Sequence, residues 1–147
     1  MNPNKIFTGI IVGIMLLAMS PMALSLFWPK INDVRTGETP EYPDIQPQRL
    51  AKISVVQVLH ASLEVAGPLG WEIREFNREQ GLIEAVATVP VFHFRDDVTI
   101  TATQADQDVV VNIRSRSRIG KSDLGENARR IRKFQAALAE QVKKYQQ

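Results

Sequence analysis

A charge-free hydrophobic run near the N-terminus sets the first limit on what this chain can fold into. The twenty-three residues from Ile6 to Trp28 include no Asp, Glu, Lys or Arg, and Lys5 and Lys30 flank the run. Because a helix rises about 1.5 Å per residue, the run is long enough to cross the roughly 30 Å hydrocarbon core of a bilayer. We therefore predict that residues 1–29 deliver the chain to a membrane.

Two outcomes of this delivery stay open. In the first, the run is retained as a single-pass transmembrane anchor, and the spacing of Gly9 and Gly13 allows a homodimer of closely packed membrane helices. In the second, the run is a signal peptide, in which Ser20-Pro21 breaks the helix and Ala23-Leu24-Ser25 supplies small residues before a cut near Ser25. Both outcomes place the following domain on the extracytoplasmic, periplasmic side of a membrane.

Composition limits the chemistry of the rest of the chain. The sequence has no cysteine among its 147 residues, which excludes disulfides, thiolate metal sites and a cysteine nucleophile. The net charge of +2 gives no reason to expect nucleic acid as a partner. The charge is unevenly distributed, however: residues 31–108 have six basic and thirteen acidic residues, a net of −7, and residues 109–147 have ten and three, a net of +7. The two halves either neutralise each other across the fold or leave a basic binding face.

The hydrophobic pattern predicts one α+β domain over residues 49–147. Residues 30–48 are rich in proline and turn formers, and we interpret them as an extended tether or surface strap that is not packed. Helical spacing of apolar residues predicts a first helix over Arg49–Ala66. Four strand-like runs follow, at Trp71–Phe76, Leu82–Val89, Asp97–Thr103 and Val109–Arg118. A last helix begins near Asp123, so we expect a four-stranded antiparallel meander flanked by two helices.

Alternation and capping residues refine this prediction. The short polar loop 105–108 predicts a hairpin between the last two strands. Asp123 and Glu126 have the spacing of a capping box for the last helix. The residues expected on the buried face of the hairpin are Val98, Ile100, Ala102, Val109, Val111 and Ile113, with the alternate positions facing water.

Catalytic groupings are sparse in this sequence. His60 and His93 are far apart and form neither a metal triad nor a nucleophile–base pair, so we predict no metal site, no cofactor and no catalytic residue. Asp96 and Asp97 are adjacent carboxylates, but neighbouring residues of a strand face opposite sides. A salt bridge from this pair to the basic last strand is the preferred interpretation.

The strongest constellation lies where the last strand leads into the last helix. Arg114, Arg116 and Arg118 alternate with serines and share one face of the strand, and Lys121 and Ser122 precede the N-terminus of the helix. These five residues are the candidate anion-binding site, for phosphate, carboxylate or an anionic headgroup. The alternative is a solvated strand face that is neutralised by acidic residues across the sheet.

The same segments resemble a known family, the domain of unknown function 1499 family, which has bacterial and plant plastid members. The resemblance lies in Asn32-Asp33-Val34, Trp71-Glu72-Ile73, Gly81–Ala85, Phe94–Val98, Arg114–Asn127 and Arg130-Ile131. It implies an exported or membrane-associated protein and carries over no catalytic residue, because the family's activity is not established. His93 departs from the family pattern. Asp96, Asp97, Asp123 and Asn127 are expected to be structural polar partners.

Three functions are compatible with these observations. The preferred hypothesis is a non-enzymatic binding or scaffolding module of the cell envelope, attached through residues 6–28 and binding an anionic ligand or an envelope protein. The second is a small hydrolase or isomerase with an Asp/Arg pocket. The third is an accessory subunit of a membrane complex.

Overall fold

The computed structural model describes residues 28–90 and 93–146, which form an antiparallel sheet and two helices. In chain order the elements are β1 (Asp33–Arg35), β2 (Gln48–Ala51), α1 (Val55–Ala66), β3 (Glu72–Asn77), β4 (Leu82–Thr88), β5 (Arg95–Ala105), β6 (Asp108–Ser117) and α2 (Glu126–Val142). The predicted α+β class is confirmed.

The sheet has six strands, so the prediction of four is wrong. Strands β3 to β6 form the predicted meander, with each strand antiparallel to the next. The two extra strands are short and lie end to end along the remaining edge of β6, with β1 opposite Arg114–Arg116 and β2 opposite Asp108–Val111. Strands of three and four residues give too little alternation to be recognised without their partner.

The segment 30–48, which we expected to be an extended tether or a surface strap without packing, packs against the domain. Val34 in β1 is fully buried, and Ile45 is 1% exposed. The Thr36 amide also donates a hydrogen bond to the Ile113 carbonyl, at 3.0 Å. The prolines of this segment all lie outside β1 and β2, so none removes a donor from the sheet.

The first helix begins at Val55 and not at Arg49 as predicted. Its N-cap is Ser54, which forms a capping box with Gln57. The preceding residues belong to β2, where Leu50 is buried opposite Val109. The spacing of Leu50 and Ile53 fits a helix as well as a strand, and pairing with β6 decides between them.

The two faces of the sheet differ as the alternation predicted. All six residues expected on the buried face of the β5–β6 hairpin are at most 3% exposed. We call this the inner face; α1 and α2 pack on it and complete the core. In α2, Phe134 is fully buried and stacks on Trp71, with ring centroids 5.1 Å apart. The opposite side is the outer face and carries the polar residues of the strands.

No helix within residues 28–90 and 93–146 is long and apolar enough to cross a membrane. The predicted run Ile6–Trp28 lies outside the described residues except for Trp28, and so do Gly9, Gly13 and the possible cut near Ser25.

The turn between β3 and β4 generates a stability prediction. Gly81 has φ +65°, and a Cβ added to it would overlap the Ala102 carbonyl oxygen. Gly70 has φ +72° but open space around it. We expect Gly70→Ala to cost about 1 kcal/mol, the penalty of a left-handed residue, and Gly81→Ala at least about 3 kcal/mol, because the backbone of β5 must also move.

Urea unfolding of both purified variants checks this prediction. Equal losses of unfolding free energy would contradict it, since the two positions share a backbone conformation and differ in the space around them.

Candidate functional site

The last part of β6 presents two different surfaces from one short sequence. Arg114 and Arg116 lie on the outer face, while Ser115 and Ser117 lie on the inner face and are 0% and 9% exposed. The segment that the sequence singled out as basic is therefore also a buried polar segment. Its two surfaces have separate partners.

On the outer face, the arginines border a depression of about 350 Å³ that spans β3 to β6. Its charged lining consists of four arginines and two acidic residues, namely Arg74, Arg114, Arg116, Arg118, Glu84 and Asp97. Three of the five candidate anion-binding residues thus share one surface. Arg74 was not predicted, because it lies on β3 beside an irregularity in the β3–β4 register.

Arg114 is held by the edge strand β1. Its Nε and Nη2 donate to the two carboxylate oxygens of Asp33, at 2.9 and 2.6 Å. These hydrogen bonds hold the pKa of Asp33 below its usual range, against the opposing effect of desolvation, and the neighbouring Arg35 adds to the lowering. A two-pronged geometry of this kind fixes the guanidinium plane. Arg114 is therefore committed to an internal partner.

Arg118 has a similar commitment on the other side. Its Nε and Nη2 donate to one oxygen of Asp97, at 2.9 and 2.5 Å. These bonds lower the pKa of Asp97, and they raise the pKa of Arg118. Both side chains are about half exposed, so the pair orders the surface more than it stabilises the fold.

Arg116 is the arginine of this row that forms no ion pair with a described acidic residue. In the sheet it lies between Asp33 and Asp97, but these two carboxylates are bonded to Arg114 and Arg118. Its side chain is exposed, and within residues 28–90 and 93–146 it forms no ion pair. Within the described residues, the Arg116 guanidinium thus has no hydrogen bond to a carboxylate, although its charge helps to lower the pKa of the nearby Asp97.

The predicted extension of the site toward α2 does not reach the arginine depression. Ser122 donates to the Pro29 carbonyl at a long 3.4 Å, and Lys121 is exposed beside it. The amides at the start of the helix are occupied, because the Asp123 carboxylate accepts from the amides of Gly125 and Asn127, at 2.9 and 2.7 Å. The chain's own carboxylate thus fills the position that we had expected an external anion to take.

Asp123 caps α2, but it does not form the expected capping box. Gly125 precedes the helix in a left-handed conformation, with φ +77°, and Glu126 is the first helical residue. The Glu126 carboxylate contacts Arg129 at 2.8 Å and lies 3.7 Å from Arg130, so it turns toward the helix and not back to Asp123.

Asp96 and Asp97 point to opposite faces of β5. Asp97 contacts Arg118 on the outer face, whereas Asp96 is 1% exposed on the inner face. There Asp96 forms an ion pair with Arg130 of α2, with 2.8 Å between Oδ2 and Nη2. The two carboxylates and the row of arginines do not converge on one pocket, which an Asp/Arg enzyme of the kind we considered would require.

The buried ion pair belongs to a polar network centred on Asn127, which is fully buried. The Asn127 side-chain oxygen accepts from Ser115 Oγ at 2.6 Å and from Arg130 Nη1 at 2.8 Å. The Asn127 side-chain nitrogen donates to Ser117 Oγ at 3.0 Å and to the Asn32 carbonyl at 3.1 Å. One amide therefore joins β6, α2 and the segment that leads into β1.

Sequence reasoning missed Ser115, Ser117 and Arg130 as partners in this network. A signal was present, because small hydroxyl residues occupy two inward positions of a strand that is otherwise apolar on that face. Their partners come from the last helix, and the sequence alone does not show which helical residue meets which strand residue.

The histidines contribute no metal site. The ring of His60 packs near Phe76, with centroids 6.0 Å apart, and His93 adopts φ +53° in the loop before β5. Among the residues that the structure describes, no group of three or more His, Asp or Glu side chains is placed to hold a metal ion.

Comparison with known proteins identifies a family. The family model described as "Protein of unknown function (DUF1499)" matches residues 23–138. A search of curated proteins finds no match. The matched range contains β1 to β6 and most of α2, and with them the outer arginine row and the Asn127 network.

The buried network predicts that two adjacent arginines differ sharply in their contribution to stability. Arg130 and Arg129 have side chains that are 7% and 52% exposed. We expect Arg130→Leu to cost about 3–5 kcal/mol, because it leaves the buried Asp96 without its counter-ion. Arg129→Leu should cost less than about 1 kcal/mol.

Urea unfolding of the two purified variants measures the difference. The double variant Asp96→Leu/Arg130→Leu should recover part of the loss, since it removes both charges together. A loss of similar size for Arg129→Leu and Arg130→Leu would contradict the structural role of the ion pair.

The Asp33–Arg114 pair predicts a pH-dependent stability. Because the folded-state pKa of Asp33 is lowered, its contribution is present above the unfolded pKa of about 3.9 and is lost as pH falls through the folded pKa. Both side chains are about one-third exposed, so the ion pair is partly screened by solvent. We therefore expect the unfolding free energy of wild type to exceed that of Asp33→Asn by only about 0.5–1 kcal/mol at pH 7.

Chemical unfolding as a function of pH checks this expectation. The difference between wild type and Asp33→Asn should shrink as pH falls below about 4. In an Arg114→Leu background, the Asp33→Asn substitution should have a smaller effect at every pH. A difference that does not depend on pH would show that the pair carries no linked protonation.

Proposed function

The chain belongs to the DUF1499 family of proteins of unknown function, and we propose that its domain is a non-enzymatic module that binds an anionic group on the outer face of the sheet. The observation that carries this proposal is the exposed Arg116, which forms no ion pair within the described residues and lies between two arginines that are already fixed by carboxylates. The proposed ligand is a phosphate or carboxylate, presented by a small molecule, a polyanion or an envelope protein.

The surroundings of Arg116 suit an anion better than a cation or an apolar group. The side chains of Arg114 and Arg118 are oriented by Asp33 and Asp97, so an incoming anion does not have to order them. The planar guanidinium of Arg116 can then offer two parallel N–H donors to a carboxylate or phosphate. Arg74 lines the same depression, but its guanidinium is ion-paired with Glu72 at 2.9 Å, and the Glu84 carboxylate lines the depression too.

Residues 1–29 supply the proposed location. We propose that the charge-free run delivers the domain to the extracytoplasmic side of a membrane, with residues 49–147 as the domain. The run remains as an anchor or is cut near Ser25. Membership of a membrane complex through Gly9 and Gly13 is the alternative role for an anchored chain. Its test is crosslinking in native membranes, where recovery of monomer alone would count against it.

The anion site predicts a selective loss of binding. Arg116→Ala should weaken binding of inorganic phosphate to the full chain about tenfold, the effect of losing one charged hydrogen-bond donor. Arg49→Ala is the matched control, because Arg49 is an exposed arginine on β2, with a side chain 64% exposed, outside the depression.

The phosphate affinities of both variants are measured in detergent by isothermal titration calorimetry at constant ionic strength. Constant ionic strength matters because screening alone weakens any exposed charge. Equal affinities for Arg116→Ala and Arg49→Ala would refute the site, since they would show binding to positive charge in general.

A further inference from the structure

One end of the sheet collects features that the proposed anion site does not use. At this end β5 begins, β6 ends and α2 begins, and we call it the α2 end of the domain. Trp28, the first described residue, also lies here and packs so closely on Gly125 that a Cβ at that glycine would lie 2.5 Å from the indole. The charge-free run therefore meets the folded domain at the α2 end.

The path of the chain after Trp28 keeps it at this end. Ser122 Oγ donates to the Pro29 carbonyl, the Asp123 amide donates to the Ile31 carbonyl at 3.2 Å, and the Asn32 side chain donates to the Gly120 carbonyl. Residues 29–32 are thus bonded along residues 120–123. These hydrogen bonds hold residues 29–32 at the α2 end of the domain.

The α2 end also carries exposed apolar side chains. The Ile119 side chain is 62% exposed and the Phe94 side chain is 45% exposed, whereas Phe76 and Ile73 on β3 are 40% and 38% exposed. They border a cavity of about 440 Å³ that is also lined by Val89 and Leu124. An isoleucine left this far in water costs hydrophobic free energy, and apolar surfaces with a polar rim mark interaction sites.

Charged side chains of both signs surround this apolar surface: Asp96, Asp123 and Glu126 line the cavity, and Lys30 and Lys121 belong to the two segments that meet beside it. Lys30 and Lys121 are exposed, and within the described residues neither forms an ion pair. Arg129 also lines the cavity, but its guanidinium is ion-paired with Glu126 at 2.8 Å. Exposed apolar side chains with these two lysines beside them match the boundary between acyl chains and anionic headgroups.

We propose that the α2 end docks on the surface of the bilayer that the chain's own hydrophobic run enters, with Ile119 and Phe94 in the interface and Lys30 and Lys121 at anionic headgroups. This inference rests on the proposed membrane attachment. It goes beyond that attachment by specifying which end of the domain faces the lipid and which side chains enter it. A domain attached through a flexible tether would show no such orientation.

The absence of native cysteine permits a direct test by single-site labelling. Ile119→Cys carries an environment-sensitive fluorophore in the full chain, reconstituted in vesicles of phosphatidylcholine and phosphatidylglycerol. Phe76→Cys is the control, because Phe76 is 40% exposed and pairs with Ile83, about 16 Å along β4 from Thr88 at the α2 end.

Lipids with a nitroxide near the headgroup report the depth of the label. Interfacial side chains lie about 5–10 Å into the boundary, so the label at 119 should lose at least about half its fluorescence while the label at 76 remains accessible to aqueous iodide. Equal quenching at the two positions would overturn the docking. Protection of 119 from iodide without lipid quenching would overturn it too, because a protein partner would then cover the surface.

Extraction with alkaline carbonate separates this proposal from the one on which it rests. If the full chain leaves the vesicles, membrane attachment fails and the docking fails with it. If the chain stays and the label at 119 is not quenched by lipid, attachment stands and the docking alone is wrong. Phosphate binding at Arg116 is measured in detergent and does not depend on either result.

Discussion

The buried contact between Asp96 and Arg130, with Asn127 beside it, is the constraint on which the rest of the structure depends. Charges on the inner face of a sheet are tolerated when an opposite charge pairs with them, and removing one partner is expensive. Here the pair joins β5 to α2, and the Asn127 amide extends the connection to β6 and to the segment before β1. The network thereby fixes the relative positions of β5, β6, α2 and the segment before β1.

This inner network also determines what the outer face can offer. Because strand residues alternate, fixing Ser115 and Ser117 inward fixes Arg114 and Arg116 outward. The acidic first part of the chain then compensates the basic last part locally, as Asp33 meets Arg114 and Asp97 meets Arg118. Compensation and the proposed basic binding site, which the sequence presented as alternatives, are compatible: pairing neutralises the flanking arginines and leaves the central one without an ion pair in the described residues.

The sequence was informative where periodicity is long and misleading where it is short. The β5–β6 hairpin and α2 were predicted, because their alternating or helical patterns extend over ten or more residues. The strands β1 and β2 were not, since Val34 and Leu50 become strand residues only through pairing with β6. The row of arginines on one face of β6 was also predicted, because these residues alternate with serines along the strand. The buried partners of Asn127 required knowledge of which distant segments meet.

The two proposed roles use the same strand at different points, and this makes them compatible. Arg116 lies on the outer face, whereas Ile119 lies past the end of β6, where the chain turns toward α2. Arg118 lies between them in the sequence and is ion-paired with Asp97. A docked domain would direct the strand ends toward the bilayer, with the outer face of the sheet open to the aqueous side. The arginine row would then accept ligands from water while the α2 end remains on the lipid.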